Sequence, residues 1–177
     1  MAENTPTREL SHVTTGGVLR MVDVSEKAVT RREAVASAEV AMRVDVLDAL
    51  MADTLPKGDA IAAARLAGIM AAKRTGAVIP LCHPLDLDWV GIEFERLTDA
   101  SGTATGRLVI TCTCRATART GVEMEALTGV SVAALTVYDM AKAGDRGITI
   151  GPIRLERKTG GRGGPYTRGA AADERTP

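Results

Sequence analysis

Residues 120–142, TGVEMEALTGVSVAALTVYDMAK, predict the longest helix of the chain and contain its most informative side chains. Val132, Leu135 and Asp139 recur at helical spacing, which predicts that Asp139 lies on the apolar face of this helix. A carboxylate on an apolar face is costly unless it is paired or used. Lys142, one helical turn further on, is its expected partner. The alternative interpretation is an ordinary exposed acid–base pair at the end of a helix.

The same stretch contains two more acids, Glu123 and Glu125, at the start of the predicted helix. The helix dipole favours acids at this end, which would explain both residues without catalysis. On a continuous helix, Glu125 and Asp139 would lie roughly 21 Å apart at about 1.5 Å per residue. One small substrate could not contact both. Either the helix breaks near Gly129, or a site is shared between two copies of the chain.

The composition limits the class of protein. The 177 residues suffice for one domain with a hydrophobic core, and 22 basic against 22 acidic residues leave a formal net charge of zero. No basic block indicates nucleic acid, and four aromatic residues are too few for a base-stacking surface. No apolar run predicts a signal peptide or a membrane span. The three cysteines, without an export signal, predict reduced thiols in a cytoplasmic protein.

The order of the predicted elements is strand, helices, two strands, helix, strand. Apolar periodicity and turn residues place strands at about 33–44, 90–95, 108–114 and 148–157, a hairpin turn at 99–102, and helices at 45–53, 60–74 and 123–142. This order predicts an α+β, ferredoxin-like β-α-β-β-α-β fold, an antiparallel sheet with helices packed on one face. Residues 1–17 are predicted to be a flexible arm, 18–158 a single catalytic domain and 159–177 a flexible tail.

Two short segments contain candidate functional side chains. His83 lies in the loop at 79–85, which two prolines stiffen, and rigid loops position reactive groups well. A structural hydrogen-bonding role is the alternative for this histidine. Lys57 lies just before a predicted helix whose N-cap is Asp59, where a cation and free backbone N–H groups suit a phosphate. An ordinary exposed lysine in a turn is equally compatible with the sequence.

The cysteines permit a zinc interpretation through Cys82, His83, Cys112 and Cys114. Cys112 and Cys114 would share one face of a strand, but a gap of one residue is tighter than zinc sites usually have. Buried small side chains are the favoured interpretation. We therefore predict no metal site.

Taken together, the motifs resemble those of the cyclic pyranopterin monophosphate synthase (MoaC) family of molybdenum cofactor biosynthesis. The matching segments are MVDVS at 21–25 with Lys27, KGD at 57–59, AAKRT at 71–75, IPLCHPL at 79–85, TGVEMEAL at 120–127, SVAAL at 131–135, YDM at 138–140, and Lys158 before a pair of glycines. Thr159 stands where the family pattern has serine. The first ten residues and those after Gly164 lie outside the resemblance.

The resemblance implies a lyase that converts a GTP-derived substrate, (8S)-3′,8-cyclo-7,8-dihydroguanosine 5′-triphosphate, to cyclic pyranopterin monophosphate and pyrophosphate. It implies a ferredoxin-like subunit in a homohexamer, a trimer of dimers, with each site at a dimer interface. Magnesium accompanying the triphosphate is compatible with it, and no other cofactor is implied. The competing hypothesis is a module that binds a nucleotide or pterin without turnover.

Residues that match the family's functional positions fall in two groups. The catalytic residues implied are Lys57, Asp139 and Lys142. The substrate-binding residues implied are Leu81, Cys82, His83, Glu123, Met124, Glu125 and Lys158. Ring opening and reclosure need several proton transfers, which lysine, histidine and carboxylate groups can perform. Expulsion of pyrophosphate needs cations around the phosphates.

Overall fold

The computed structural model describes residues 19–97 and 104–169 of the chain. The predicted N-terminal arm at 1–17 and the hairpin turn at 99–102 lie outside these residues. The elements are β1 (Thr30–Arg43), α1 (Val44–Met51), α2 (Ala60–Ala72), α3 (Thr75–Val78), β2 (Trp89–Leu97), β3 (Thr105–Ala118), α4 (Glu123–Ala141), β4 (Thr149–Thr159) and β5 (Tyr166–Thr167). No helix in the described part of the chain is long and apolar enough to cross a bilayer.

The strands form one antiparallel sheet with the order β2-β3-β1-β4-β5. The prediction of an α+β fold with an antiparallel sheet is confirmed. The observed order differs from the predicted four-strand layout because β5 adds a strand outside β4. β5 pairs with β4 at Arg157 and Lys158, and β4 itself continues to Thr159. Folded structure therefore extends past the predicted domain boundary at residue 158, since these backbone hydrogen bonds order part of the predicted tail.

Alternation along β1 and β3 decides which face of the sheet is buried. Ala34, Ala36 and Ala38 of β1 are fully buried, as are Ile110 and Cys112 of β3. α4 packs against β1, β3 and β4, and α2 packs against α4 and β2. The period of two that predicted the first strand is confirmed, because side chains of one parity meet these helices.

Small residues bring α2 and α4 into close contact. A Cβ added to Gly68 of α2 would lie 2.9 Å from the carbonyl oxygen of Gly129, and one added to Gly129 would lie 2.8 Å from Cys112 Sγ. Glycine at 129 therefore serves packing rather than a break, and α4 runs through it as one helix. The alternative of a helix broken near Gly129 is excluded.

The predicted apolar stripe of this helix is wrong. Leu135 is 58% exposed and Asp139 is also exposed. The buried face of α4 instead contains Ala126, Val130, Ala133, Ala134, Val137 and Ala141. The physical reason is the close approach of α2, which selects the face with the smallest side chains instead of the face with the largest apolar ones.

Candidate active site

The C-terminal end of α4 contains a cluster of one acid and two lysines, which we call the lysine–aspartate cluster (Lys57, Asp139 and Lys142). Lys142 Nζ lies 2.6 Å from Asp139 Oδ1, so the predicted pair is confirmed. Lys57 Nζ lies 2.8 Å from Asp139 Oδ2 and also donates to the Asp139 carbonyl oxygen at 2.8 Å. Lys57 reaches this position from the turn before α2, whose first residues are fixed by the side chain of Asp59 accepting from Ala62 N.

Contacts within this cluster shift the pKa values of Asp139 and Lys142. Hydrogen bonds from Lys142 and then Lys57 lower the pKa of Asp139 to about 2. The same bond to Asp139 raises the pKa of Lys142. Asp139 is therefore a carboxylate at every physiological pH and cannot serve as a proton donor. It can hold two ammonium groups side by side, but its lowered pKa also makes it too weak a base to take a proton from either of them.

The opposite end of α4 borders a cavity of about 620 Å³, which we call the His83 cleft. Six of the seven predicted substrate-binding residues line it: Leu81, Cys82, His83, Glu123, Met124 and Lys158. Lys158 Nζ lies 3.0 Å from Glu123 Oε1, and both side chains are about 30% exposed or less. A Cβ on Gly121 would lie 1.8 Å from Glu123 Oε2, so glycine at 121 leaves the space in which this carboxylate folds back. The cleft thus combines apolar walls with an imidazole, the ammonium groups of Lys27 and Lys158, and a carboxylate.

Glu125 is the seventh predicted residue, and the structure places it behind the cleft. It is only 2% exposed, and its Oε2 atom has no hydrogen-bond partner in the described residues. Oε1 lies 3.7 Å from Cys82 Sγ. Burial raises the pKa of Glu125, and burial followed by the charge of Glu125 raises the pKa of the Cys82 thiol to about 11. Cys82 is therefore a neutral donor at pH 7, which argues against a nucleophilic role.

The buried carboxyl of Glu125 predicts a pH dependence of stability. Since its folded-state pKa is raised, this group favours folding below the usual glutamate pKa of about 4.3, and that contribution is lost as pH rises through the raised value. Glu125→Gln keeps the shape without the charge. As pH rises from 5 to 8, we expect the free energy of unfolding of the variant to increase relative to that of wild type by about 1–3 kcal/mol. Urea unfolding at both pH values measures this, with the exposed Glu95→Gln as control. A relative loss of stability in Glu125→Gln would contradict a raised pKa.

The favoured interpretation of three buried cysteines is confirmed for the two cysteines of β3 and is wrong for Cys82, which is only half-buried because it lines the His83 cleft. Cys112 and Cys114 are fully buried, with their sulfur atoms 3.8 Å apart. The hydrogen bond with Cys112, and then burial, raises the pKa of the Cys114 thiol, which opposes the thiolate that zinc requires. No group of three or more potential metal ligands is assembled within residues 19–97 and 104–169.

We therefore expect purified protein to contain no stoichiometric zinc. Elemental analysis by mass spectrometry measures zinc per chain, and circular dichroism before and after a strong chelator measures the fold. Zinc close to one atom per chain, together with unfolding on chelation, would restore the zinc interpretation.

One chain does not bring the predicted catalytic and binding residues together. The lysine–aspartate cluster and the His83 cleft lie at opposite ends of one continuous α-helix. Glu123 and Asp139 are therefore roughly 24 Å apart along its axis at about 1.5 Å per residue. A substrate of nucleotide size cannot touch both ends.

Sequence reasoning also missed basic residues beside the His83 cleft. Arg32 and Arg119 line a neighbouring cavity together with the glycine-rich segment at 160–163. They come from the start of β1 and from the residue after β3, so only strand pairing brings them together. The available signal was an arginine near the start of β1 and another just after β3, two positions that antiparallel pairing brings to the same end of the strand ladder.

A comparison with protein-family models decides the classification. The model of the MoaC family matches residues 21–161 of the chain. This chain belongs to the MoaC family. That match covers both the cluster and the His83 cleft, and it confirms the resemblance stated from the motifs.

Curated MoaC-type proteins are similar to the chain over nearly its whole length. It is 52% identical to the cyclic pyranopterin monophosphate synthase of Novosphingobium aromaticivorans over 158 residues, which cover 89% of this chain and 96% of that protein. It is 55% identical over 159 residues to cyclic pyranopterin monophosphate synthase 3 of Mycobacterium bovis, with coverage of 90% and 86%. Identity to the Roseiflexus castenholzii synthase is 56% over 156 residues, with coverage of 88% and 96%.

Proposed function

We propose that the chain is a cyclic pyranopterin monophosphate synthase. It converts 3′,8-cyclo-7,8-dihydroguanosine triphosphate to cyclic pyranopterin monophosphate and pyrophosphate in molybdenum cofactor biosynthesis, a lyase reaction in the cytoplasm. The observation that carries the proposal is the lysine–aspartate cluster, in which Asp139 bonds Lys57 and Lys142 at 2.8 and 2.6 Å. The names of the similar synthases support it, and so does the match to the family.

The cluster suits the proton transfers that rebuild the purine-derived rings. Lys57 is the proposed proton-transfer group, and the Asp139 carboxylate, 2.8 Å from its Nζ atom, orients it. Lys142 supplies a second positive charge beside it. His83 and Lys158, in the other part of the site, would contact the substrate.

The phosphate step is an intramolecular displacement. A hydroxyl oxygen of the sugar-derived ring forms a bond to the α-phosphorus, and the bond from that phosphorus to the bridging oxygen of the β-phosphate breaks. The pyrophosphate leaves with the bonding electrons, and the hydroxyl proton passes to a base. Cations lower the barrier because negative charge accumulates on the leaving oxygen. Magnesium is proposed only as a companion of the triphosphate, and no resident cofactor is part of the proposal.

We propose that each site is completed by a second copy of the chain. Because α4 is continuous, the cluster of one chain and the His83 cleft of the same chain stay roughly 24 Å apart. A two-fold dimer that brings the cluster of each chain to the cleft of its partner produces two equivalent sites. Within this proposal, β1 to β4 form a ferredoxin-like subunit to which β5 is an addition, and three dimers form a homohexamer.

The direct experiment is incubation of the purified protein with the cyclised GTP intermediate. Pyrophosphate is measured by a coupled assay, and the pterin product by fluorescence after oxidation, with and without magnesium. Formation of both products in equal amounts supports the proposal. Tight binding of the intermediate without either product would favour the competing hypothesis, a module that binds a pterin precursor without turnover.

A further inference from the structure

The segment immediately before β1, residues 19–29, lies along the His83 cleft, and we call it the strap. No helix or strand forms between its residues 20 and 29. None of its residues is buried. Three large apolar side chains of the strap are at least 42% exposed: Leu19, Met21 and Val29. The strap therefore packs little apolar surface against the rest of the fold.

The hydrogen bonds of the strap are local. Ser25 N donates to Asp23 Oδ1 at 2.8 Å, and Lys27 N donates to the carbonyl oxygen of Val24 at 3.0 Å. Neither a hydrogen bond nor an ion pair joins residues 20–29 to any other residue that the structure describes. Moving the strap away from the fold therefore breaks no ladder, and segments of this kind open at a low cost in free energy.

The half-buried residues of the strap are the three that line the His83 cleft: Val22, Val24 and Lys27. Val24 also borders another cavity, of about 450 Å³, which His83 and Pro84 line as well. Because it borders two cavities, Val24 lacks the close-packed neighbours that hold a core side chain in place. The contact between the strap and the fold is therefore loose and lies at the cleft.

A further cavity of about 600 Å³ adjoins the His83 cleft, and we call it the glycine-turn cleft because the glycine-rich segment at 160–163 lines it. The strap contributes Glu26, Lys27 and Ala28 to its wall. Lys27 borders both clefts. A movement of the strap therefore changes the access of solvent to both clefts together.

The other apolar wall of the His83 cleft is fixed. Ile79 and Leu81 belong to the loop at 79–85, which two prolines stiffen. Ile79 N donates to the carbonyl oxygen of Thr75 at 2.9 Å, which joins this loop to α3. Since one wall is held by hydrogen bonds and prolines and the other is not, the strap is the wall that can move.

The strap is tethered to the fold where β1 begins. Thr30 is the first residue of β1 and is paired with Ala118 of β3. Ala28 and Val29 precede this pair and are exposed. These two residues can therefore absorb the backbone rotation of a hinge without disturbing the sheet.

We propose that the strap turns about Ala28 and Val29 and closes over a ligand in the His83 cleft, so that Val22 and Val24 pack onto the ligand. The inference rests on the proposed function, under which this ligand is the cyclised GTP intermediate. Closure serves the phosphate step, because a water molecule competes with the intramolecular hydroxyl for the same phosphorus. A closed strap excludes that water.

Hydrogen exchange with residue-level mass spectrometry tests the closure. The full-length Asp139→Ala protein is used with the cyclised GTP intermediate, so that the ligand persists during the measurement. We expect the backbone amides throughout 20–29 to exchange at least about tenfold more slowly when the ligand is bound. The amides of α1 are expected to exchange at an unchanged rate. Calorimetry on the same samples measures binding itself.

Two double variants, made in the same protein, separate the strap valines from the rest of the strap. Val22→Ala/Val24→Ala removes the apolar contacts with the ligand, and we expect the slowing of exchange at saturating ligand to fall at least about fivefold. Leu19→Ala/Met21→Ala is the matched control, since it truncates two exposed apolar residues that line neither cleft. Its slowing is expected to stay within about twofold of that of the parent protein.

Unchanged exchange in the strap of a protein that binds the intermediate would overturn the closure and leave the proposed function intact. Slowing restricted to Val22, Val24 and Lys27 would also overturn it, because that pattern requires contact with the ligand but no closure. Equal losses in both double variants would contradict the role of the valines. Failure of the wild-type protein to bind or convert the intermediate would refute the proposed function, and the closure with it.

Discussion

Asp139→Ala is expected to lower turnover of the cyclised GTP intermediate at least about a hundredfold, the effect of losing a group that organises proton transfer. The variant leaves Lys57 and Lys142 without the carboxylate that holds them 2.8 and 2.6 Å away. Lys57 would keep only its bond to the carbonyl oxygen of residue 139, and Lys142 would move away from it because like charges repel. Asp139 is exposed, so the fold is expected to remain intact. Steady-state kinetics with a pyrophosphate assay measures the change.

Asp48→Ala is the matched control for this experiment. Asp48 is also an exposed, ion-paired aspartate on a helix, with a side-chain exposure of 55% against 56% for Asp139. Its partner is Arg96, which lines neither cleft. Removing it is expected to change turnover by less than about twofold, as for an ordinary surface salt bridge. Comparable losses in both variants, or near-normal turnover in Asp139→Ala, would remove Asp139 from the mechanism.

Periodicity predicted the main helices and strands, but it predicted neither the short elements α3 and β5 nor the orientation of α4. Alternating burial along β1 arises from local geometry, so the sequence alone was sufficient for that strand. The buried face of α4 depends on α2, because the helices lie so close at Gly68 and Gly129 that a Cβ added to either glycine would lie 2.9 or 3.2 Å from a carbonyl oxygen of the other helix. Hydrophobicity favours the stripe containing Leu135, whereas packing favours alanines. Which face of α4 is buried can therefore be predicted only when it is known that α2 packs against it.

The candidate site could be predicted from the sequence only where its contacts are local. Lys142 follows Asp139 by one turn of a helix, so their contact was a local prediction. The bond from Lys57 depends on the packing of the turn before α2 against the end of α4, and only the family resemblance associated Lys57 with Asp139 beforehand. The burial of Glu125, by contrast, could not be predicted from local spacing. Two acids at a helix start do not reveal which of them will be buried behind Cys82.

The distance along α4 gives the sharpest test of where the site lies. If a neighbouring chain supplies the lysine–aspartate cluster to each His83 cleft, each site combines the cleft of one chain with the cluster of the other. His83→Ala removes an imidazole from the cleft, and Asp139→Ala breaks the cluster. In a mixed dimer of the two variants, one site would contain both defects and the other would contain neither.

Mixing equal amounts of inactive His83→Ala and Asp139→Ala proteins, under conditions that exchange subunits, is therefore expected to restore about a quarter of wild-type activity. With random pairing about half of the dimers are mixed, and each mixed dimer has one intact site of two. Lys57→Ala mixed with Asp139→Ala is the control, since both defects lie in the same cluster and every site keeps one of them. Exchange itself is followed by native mass spectrometry. If exchange is complete and the first mixture stays as inactive as the control, each site belongs to a single chain, and the substrate must then be bound at one end of α4 only.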